Sequence, residues 1–172
     1  MGVEIERKFL LRDEAWRPAV ERTVHLRQGY LVDAGALAAG LARASVRVRL
    51  QDDGARLNIK AGHAGIAREE YDYPVPVEDA VQMLETLCSG VLEKRRHFIT
   101  VDGHVFEIDE FTGANAGLVV AELELPAVDA DFPRPEWLGA EVSHLLRYFN
   151  VNLVARPFRD WTPAEQAGAD AC

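Results

Sequence analysis

The chain has 172 residues, 27% of them charged and 48% hydrophobic, which is the composition of one soluble globular domain large enough to bury a core. Its formal net charge of −9 argues against a general nucleic-acid or acidic-membrane binder, so any anion site must come from locally concentrated arginine and lysine. Cys88 and Cys172 have neither metal-ligand spacing nor a disulfide framework, and there is no basic-then-apolar leader and no long apolar run, so the expected setting is a reducing cytoplasm without membrane attachment.

Alternation of apolar and charged residues predicts strands near 2–11, 23–32, 44–51, 55–61, 66–74, 92–101, 104–111 and 118–125. In the first strand Glu4, Glu6 and Lys8 share one face, because successive strand side chains point to opposite sides. Two carboxylates at that spacing suit a hard divalent cation, and a lysine one step on is a point charge suited to phosphate. Asp13 to Val20 reads as a short helix before the second strand. Arg47 and Arg49 alternate with Val46, Val48 and Leu50 in the third strand, and Arg56, Asn58 and Lys60 follow in the fourth. Arg68, Glu70 and Asp72 line one face of the fifth.

Residues 77–89 then place Val81, Leu84, Leu87 and Cys88 on one helical stripe. Lys94 and Arg96 open the sixth strand, Glu107 and Asp109 flank Ile108 in the seventh, and Glu122 and Glu124 alternate with apolar residues in the eighth. Turn signals at Asp52-Asp53-Gly54, Ala61-Gly62-His63, Asp102-Gly103 and Gly113-Ala114-Asn115 imply antiparallel neighbours. Pro135 to Leu146 reads as a helix carrying Trp137, Leu138, Val142, Leu145 and Leu146, and Thr162 as the N-cap of a brief terminal helix.

Such a pattern arises wherever a sheet packs one face on helices and leaves the other in water. Here, however, basic and acidic pairs are segregated by strand, and eight antiparallel strands suffice to close a barrel. The favoured reading is an α+β fold, an eight-stranded antiparallel β-barrel with a charged interior, covered outside by the amphipathic segments 77–89 and 135–146. Inside it, arginine forks and lysine ammoniums bind phosphoryl oxygens. Glutamates repel phosphate, so beside it they make sense as ligands for Mg²⁺ or Mn²⁺, one or two ions on Glu4/Glu6 and Glu122/Glu124. Glu70 and Asp72, or Glu107 and Asp109, are alternatively counter-ions that orient the arginines. His25, His63, His97, His104 and His144 show no ligand spacing, and Trp16, Trp137 and Trp161 read as packing residues.

The ordered set Glu4-x-Glu6-x-Lys8, Arg27-Gln28-Gly29-Tyr30-Leu31, Arg47-x-Arg49, Lys60, Glu69 to Pro74, Lys94-x-Arg96, Glu107 to Phe111 and Glu122-x-Glu124 resembles the CYTH domain, or triphosphate tunnel metalloenzyme, superfamily. The resemblance spans about residues 2–158 within a domain placed at 1–160, with 161–172 as a tail. It implies a tunnel that binds a small-molecule triphosphate with divalent metal. Position by position it implies Glu4, Glu6, Glu122 and Glu124 as metal ligands and catalytic residues. Lys8, Arg47, Arg49, Lys60, Lys94 and Arg96, with Arg68, would be phosphate contacts. Tyr30 either lines the tunnel or packs, and Arg147 to Leu153 either resembles the element that plugs one tunnel end in small bacterial members or is an asparagine-capped helix end.

Cyclase-type relatives carry a longer lead with a His-Phe pair before the first glutamate, whereas only Met1-Gly2-Val3 precedes Glu4 here. The expectation is therefore an inorganic triphosphatase using a metal-activated water, with class IV-type adenylate cyclase as the alternative and a non-catalytic polyphosphate-binding module as a third class. Apolar helix residues fit a homodimer interface and a barrel cover equally well.

Overall fold

The computed structural model describes residues 2–52, 54–61 and 66–169. Asp53, the Gly62-His63 turn signal and Cys172 lie outside the described residues. The strands are β1 (Gly2–Leu11), β2 (Arg22–Val32), β3 (Ala44–Gln51), β4 (Gly54–Ala61), β5 (Ala67–Val75), β6 (Val91–Val101), β7 (His104–Phe111), β8 (Val119–Glu124) and β9 (Leu138–Glu141). They pair antiparallel in the order β5-β4-β3-β2-β6-β7-β8-β1-β9. β1 closes the first eight into a barrel: its residues 6–10 pair with β8 and its residues 2–5 with β5. The helices are α1 (Ala34–Ala38), α2 (Val77–Thr86), α3 (Asn150–Ala155) and α4 (Pro163–Gln166).

The Asp102-Gly103 signal joins β6 to β7 in a tight hairpin with φ of 47° and 79°. Both values are positive, as a type I′ turn requires and as the right-handed strand twist favours. Gly103→Val puts a β-branched residue into that left-handed position and is expected to cost about 1–2 kcal/mol, read as a lower denaturant midpoint. An unchanged midpoint would remove the turn from the account of the fold.

Apolar outward faces of the barrel are covered in two ways. α2 lays Ala80 and Leu84 over Val48 and Ala55. Its stripe differs from the sequence pattern, because the helix stops at Thr86 and leaves Leu87 62% exposed. Around β1, β7 and β8 the cover is irregular chain and the start of β9: Trp16, Trp137 and Leu138 pack on Phe9, Phe106 and Leu123.

Two expected helices are corrected. The segment 135–146 holds the short β9 at Leu138–Glu141 rather than a helix, because Gly139 comes so close to β1 that a Cβ there would sit 2.7 Å from the Leu10 carbonyl oxygen. Only a glycine on an extended strand permits that approach. Residues 13–20 keep only a 3₁₀ turn at Arg17–Ala19, since Asp13 accepts from the Ala15 amide in a competing local turn and Pro18 follows. The sequence pattern does not predict α1, whose N-cap is Asp33 with its Oδ1 accepting from Ala36 N at 3.0 Å.

One end of the barrel is closed. Leu92, Phe111 and Val120 lie in register with the inward charged rows of β6, β7 and β8, but at their ends the rows turn apolar. They pack with Val142, Tyr148, Leu153 and Trp161 from the C-terminal segment, so residues 147–153 and their neighbours stop that end.

Candidate active site

The charged strand faces meet inside the barrel around a cavity of about 240 Å³. Glu4, Glu6, Lys8, Tyr30, Arg47, Arg49, Lys60, Arg68, Glu70, Asp72, Arg96, Glu107, Glu122 and Glu124 all border it. Lys94 and Asp109 do not; they are paired with each other below it, at 1% and 0% side-chain exposure. Sequence reasoning assigned no site role to Ser45 and Asn58, although both share the inward row of their strands. Phe149, Asn150 and Val151 complete the lining at the stopped end, where the Phe149 ring lies 5.0 Å from the Arg68 guanidinium. None of the described histidines lines the cavity. His97 is buried on the outer wall between Thr23 Oγ1 at 2.8 Å and Glu110 at 3.3 Å, with its ring 5.2 Å from that of Trp16.

The acidic wall comes from β1 and β8, whose register sets Glu6 opposite Glu124 and Lys8 opposite Glu122. The Lys8 ammonium lies between Glu6, at 2.5 Å, and Glu122. Burial opposes its charge, but the two carboxylates win and push the Lys8 pKa above its usual value, so it stays a cation. Glu122 in turn is held well below the usual carboxylate range, since Lys8, Lys94 and Arg96 together outweigh its burial. Burial and Glu122 push Glu6 up, yet Lys8 and Lys60 leave it lowered. Glu4 goes the other way: burial first, and then repulsion from Glu6, raise its pKa despite the Lys60 ammonium bound to it.

The basic wall comes from β3, β4 and β5. Arg47, Arg49 and Arg68 each bury an Nε–H that has no hydrogen-bond partner. Burial, followed by repulsion from Arg47 and Arg96, pushes the Arg49 pKa down to about 10. Buried donors are normally satisfied, so three guanidinium groups left short of partners point to an anion as the missing group. Tyr30 sits between the walls, where burial raises its phenol pKa above the usual value and keeps the O–H as a donor. Arg96 forks onto Asp109 at 2.7 and 2.6 Å and also reaches Glu107 and Glu122.

Hard oxygen donors on two adjacent strands suit a hard divalent cation, and the Glu4 pKa, raised first by burial and then by Glu6, marks a carboxylate whose charge such an ion would stabilise. Among the described residues no three His, Cys, Asp or Glu side chains converge as a ligand cluster. Lys8, Lys60 and Arg96 occupy the carboxylates instead, so a metal would have to take over those partners. The chemistry of the set fits.

Comparison with known proteins agrees with this geometry. The CYTH domain family model matches residues 2–158. An inorganic triphosphatase of Acetivibrio thermocellus is 42% identical over 163 residues, 94% of this chain and 99% of that protein. An inorganic triphosphatase of Nitrosomonas europaea is 33% identical over 156 residues, 87% of this chain and 95% of the relative. The crystal structure of the inorganic triphosphatase NE1496 superposes with a TM-score of 0.63 at 31% identity, covering 90% of this chain and 95% of that one. No helix among the described residues is long and apolar enough to cross a membrane.

Proposed function

Because the chain belongs to the CYTH domain family, we propose that it is a metal-dependent phosphohydrolase that cleaves a phosphoanhydride bond of inorganic tripolyphosphate. The observation that carries this reading is the pairing of two unlike walls across one enclosed cavity: guanidinium donors without partners on one side, crowded carboxylates on the other. A phosphate binder without chemistry would gain nothing from the second wall.

In this reading Arg47, Arg49 and Arg68 supply the donors for the phosphoryl oxygens, with Lys60, Lys8 and Arg96 as further cations. Each contact is strengthened because the cavity is enclosed and its effective dielectric is low. Glu4, Glu6, Glu122 and Glu124 would hold Mg²⁺ or Mn²⁺, which when bound supplies Lewis acidity and makes water a better nucleophile at neutral pH. Lys8 and Tyr30 both keep their protons, so they donate to phosphate oxygens rather than accept. Glu107 and Asp109 aim Arg96, and Glu70 holds the Asn58 amide and lies 3.7 Å from Lys60. Asp72 pairs with Arg56 near the open end and so orients that arginine.

The stopped end also bears on the substrate. Phe149, Asn150 and Val151 border the cavity at that end above the apolar stopper, which suits a triphosphate with no organic group at that terminus. A product assay on tripolyphosphate, ATP and thiamine triphosphate with Mg²⁺ or Mn²⁺ tests the proposal. Orthophosphate released fastest from tripolyphosphate is the expected result. Cyclic AMP and pyrophosphate formed from ATP would replace it with the cyclase reading, and calorimetric binding without any phosphate release would replace it with a binding module.

A further inference from the structure

Lys94 belongs to the inward row of β6, two residues from Arg96, yet it does not reach the cavity. Its ammonium rests on Asp109 on one side and lies 5.3 Å from the Phe111 ring on the other. Phe111 is part of the apolar stopper, so Lys94 is sealed beneath the cavity floor. Asp109, itself fully buried, is shared between two cations: Lys94, and the Nε and Nη2 donors of Arg96 at 2.7 and 2.6 Å.

We infer that Lys94 is a positioning residue that neutralises Asp109 from below and so leaves the charge of Arg96 available to the substrate above. The reasoning is electrostatic and rests on the functional reading, in which Arg96 meets phosphate. Lys94 and Arg96 set two positive charges against the carboxylates of Asp109, Glu107 and Glu122, and of the two cations only Arg96 borders the cavity. Without the lysine, Arg96 alone faces those three carboxylates, and in a low-dielectric site the uncompensated negative charge weakens the pull Arg96 exerts on an anion.

The charge balance separates this role from direct phosphate contact. Tripolyphosphate is titrated calorimetrically at pH 7 in EDTA, so that binding is read without turnover. Lys94→Met is expected to weaken binding about tenfold, and adding Asp109→Asn is expected to bring the affinity back to within about threefold of the wild type, since one cation and one carboxylate leave together and the charge balance around Arg96 is restored. A direct lysine–phosphate contact gives no such rescue, and a double variant that stays tenfold weak overturns the inference. A Lys94→Met protein that melts lower but binds normally also overturns it, because the role would then be structural. Should the single variant not fold, the charge-balanced double variant decides alone: wild-type-like binding supports the inference, tenfold loss ends it. Wild-type protein that does not bind tripolyphosphate at all fails the functional reading first, and the inference with it.

Discussion

Glu4→Gln is expected to abolish metal-dependent phosphate release, lowering the rate by about 10²–10³-fold or more, while the barrel stays folded. The amide keeps the volume of the side chain and can still accept from Lys60, but it no longer offers a full negative charge to a divalent cation. The effect on stability has the opposite sign. Glu4 has a folded pKa above its ordinary value, so its ionised form is less comfortable in the folded protein than in the unfolded chain. That cost is present above the folded pKa and is relieved as the pH falls through it. Removing the charge therefore leaves the melting temperature unchanged or slightly raised at neutral pH. Glu124→Gln should silence the same reaction from the neighbouring strand. Phosphate release at the wild-type rate from either variant would take that carboxylate out of the metal site.

Arg49→Met is the counterpart on the basic wall. A lost charge-assisted contact is worth about 1.5–3 kcal/mol, so tripolyphosphate binding should weaken roughly 10- to 150-fold. The empty protein, by contrast, should become more stable by about 1 kcal/mol. Arg49 is held near a pKa of about 10 by burial and by two neighbouring arginines, below the ordinary value for its guanidinium. A base with a depressed folded pKa destabilises the fold at every pH below that value, and the cost fades only as the pH rises from about 10 toward 12.5. Denaturant midpoints and calorimetric titration of the same variant check both halves. A variant that binds as well as the wild type, or that loses stability, would show that Arg49 is a structural cation. Both variants express one idea: each wall carries charge that the fold alone does not satisfy, which is where stability is given up for binding.

The barrel was legible because its strands alternate without interruption, and the site was legible because the alternation segregates charge by strand. Every inward charged residue named from the sequence reached the cavity except Arg56 near the open end and, at the other end, the pair Asp109 and Lys94. Those two escaped because strand parity gives the face of a residue but not its depth. The next inward residues, Leu92 and Phe111, are apolar, and that change along the row was the available signal that the tunnel ends there. β9 was misread because Trp137, Leu138 and Val142 also satisfy a helical spacing, and only Gly139 with its contact to Leu10 decides for the strand. α1 has five residues, too few to show any periodicity.

β1 has three partners, β8 along one edge and β5 and β9 along the other, and this governs when the site can exist. The first of the barrel's strands to be made must wait for nearly the whole barrel before it can pair. Glu6 meets Glu124, and Glu4 gains its neighbour Arg68 in β5, only when that seam closes. Pairings so distant in sequence make for slow folding, and until they form the growing chain carries open strand edges at both ends of the sheet. No partly folded form can hold half of the acidic wall in working register. The onset of tripolyphosphate hydrolysis during refolding should thus report the closure of that seam.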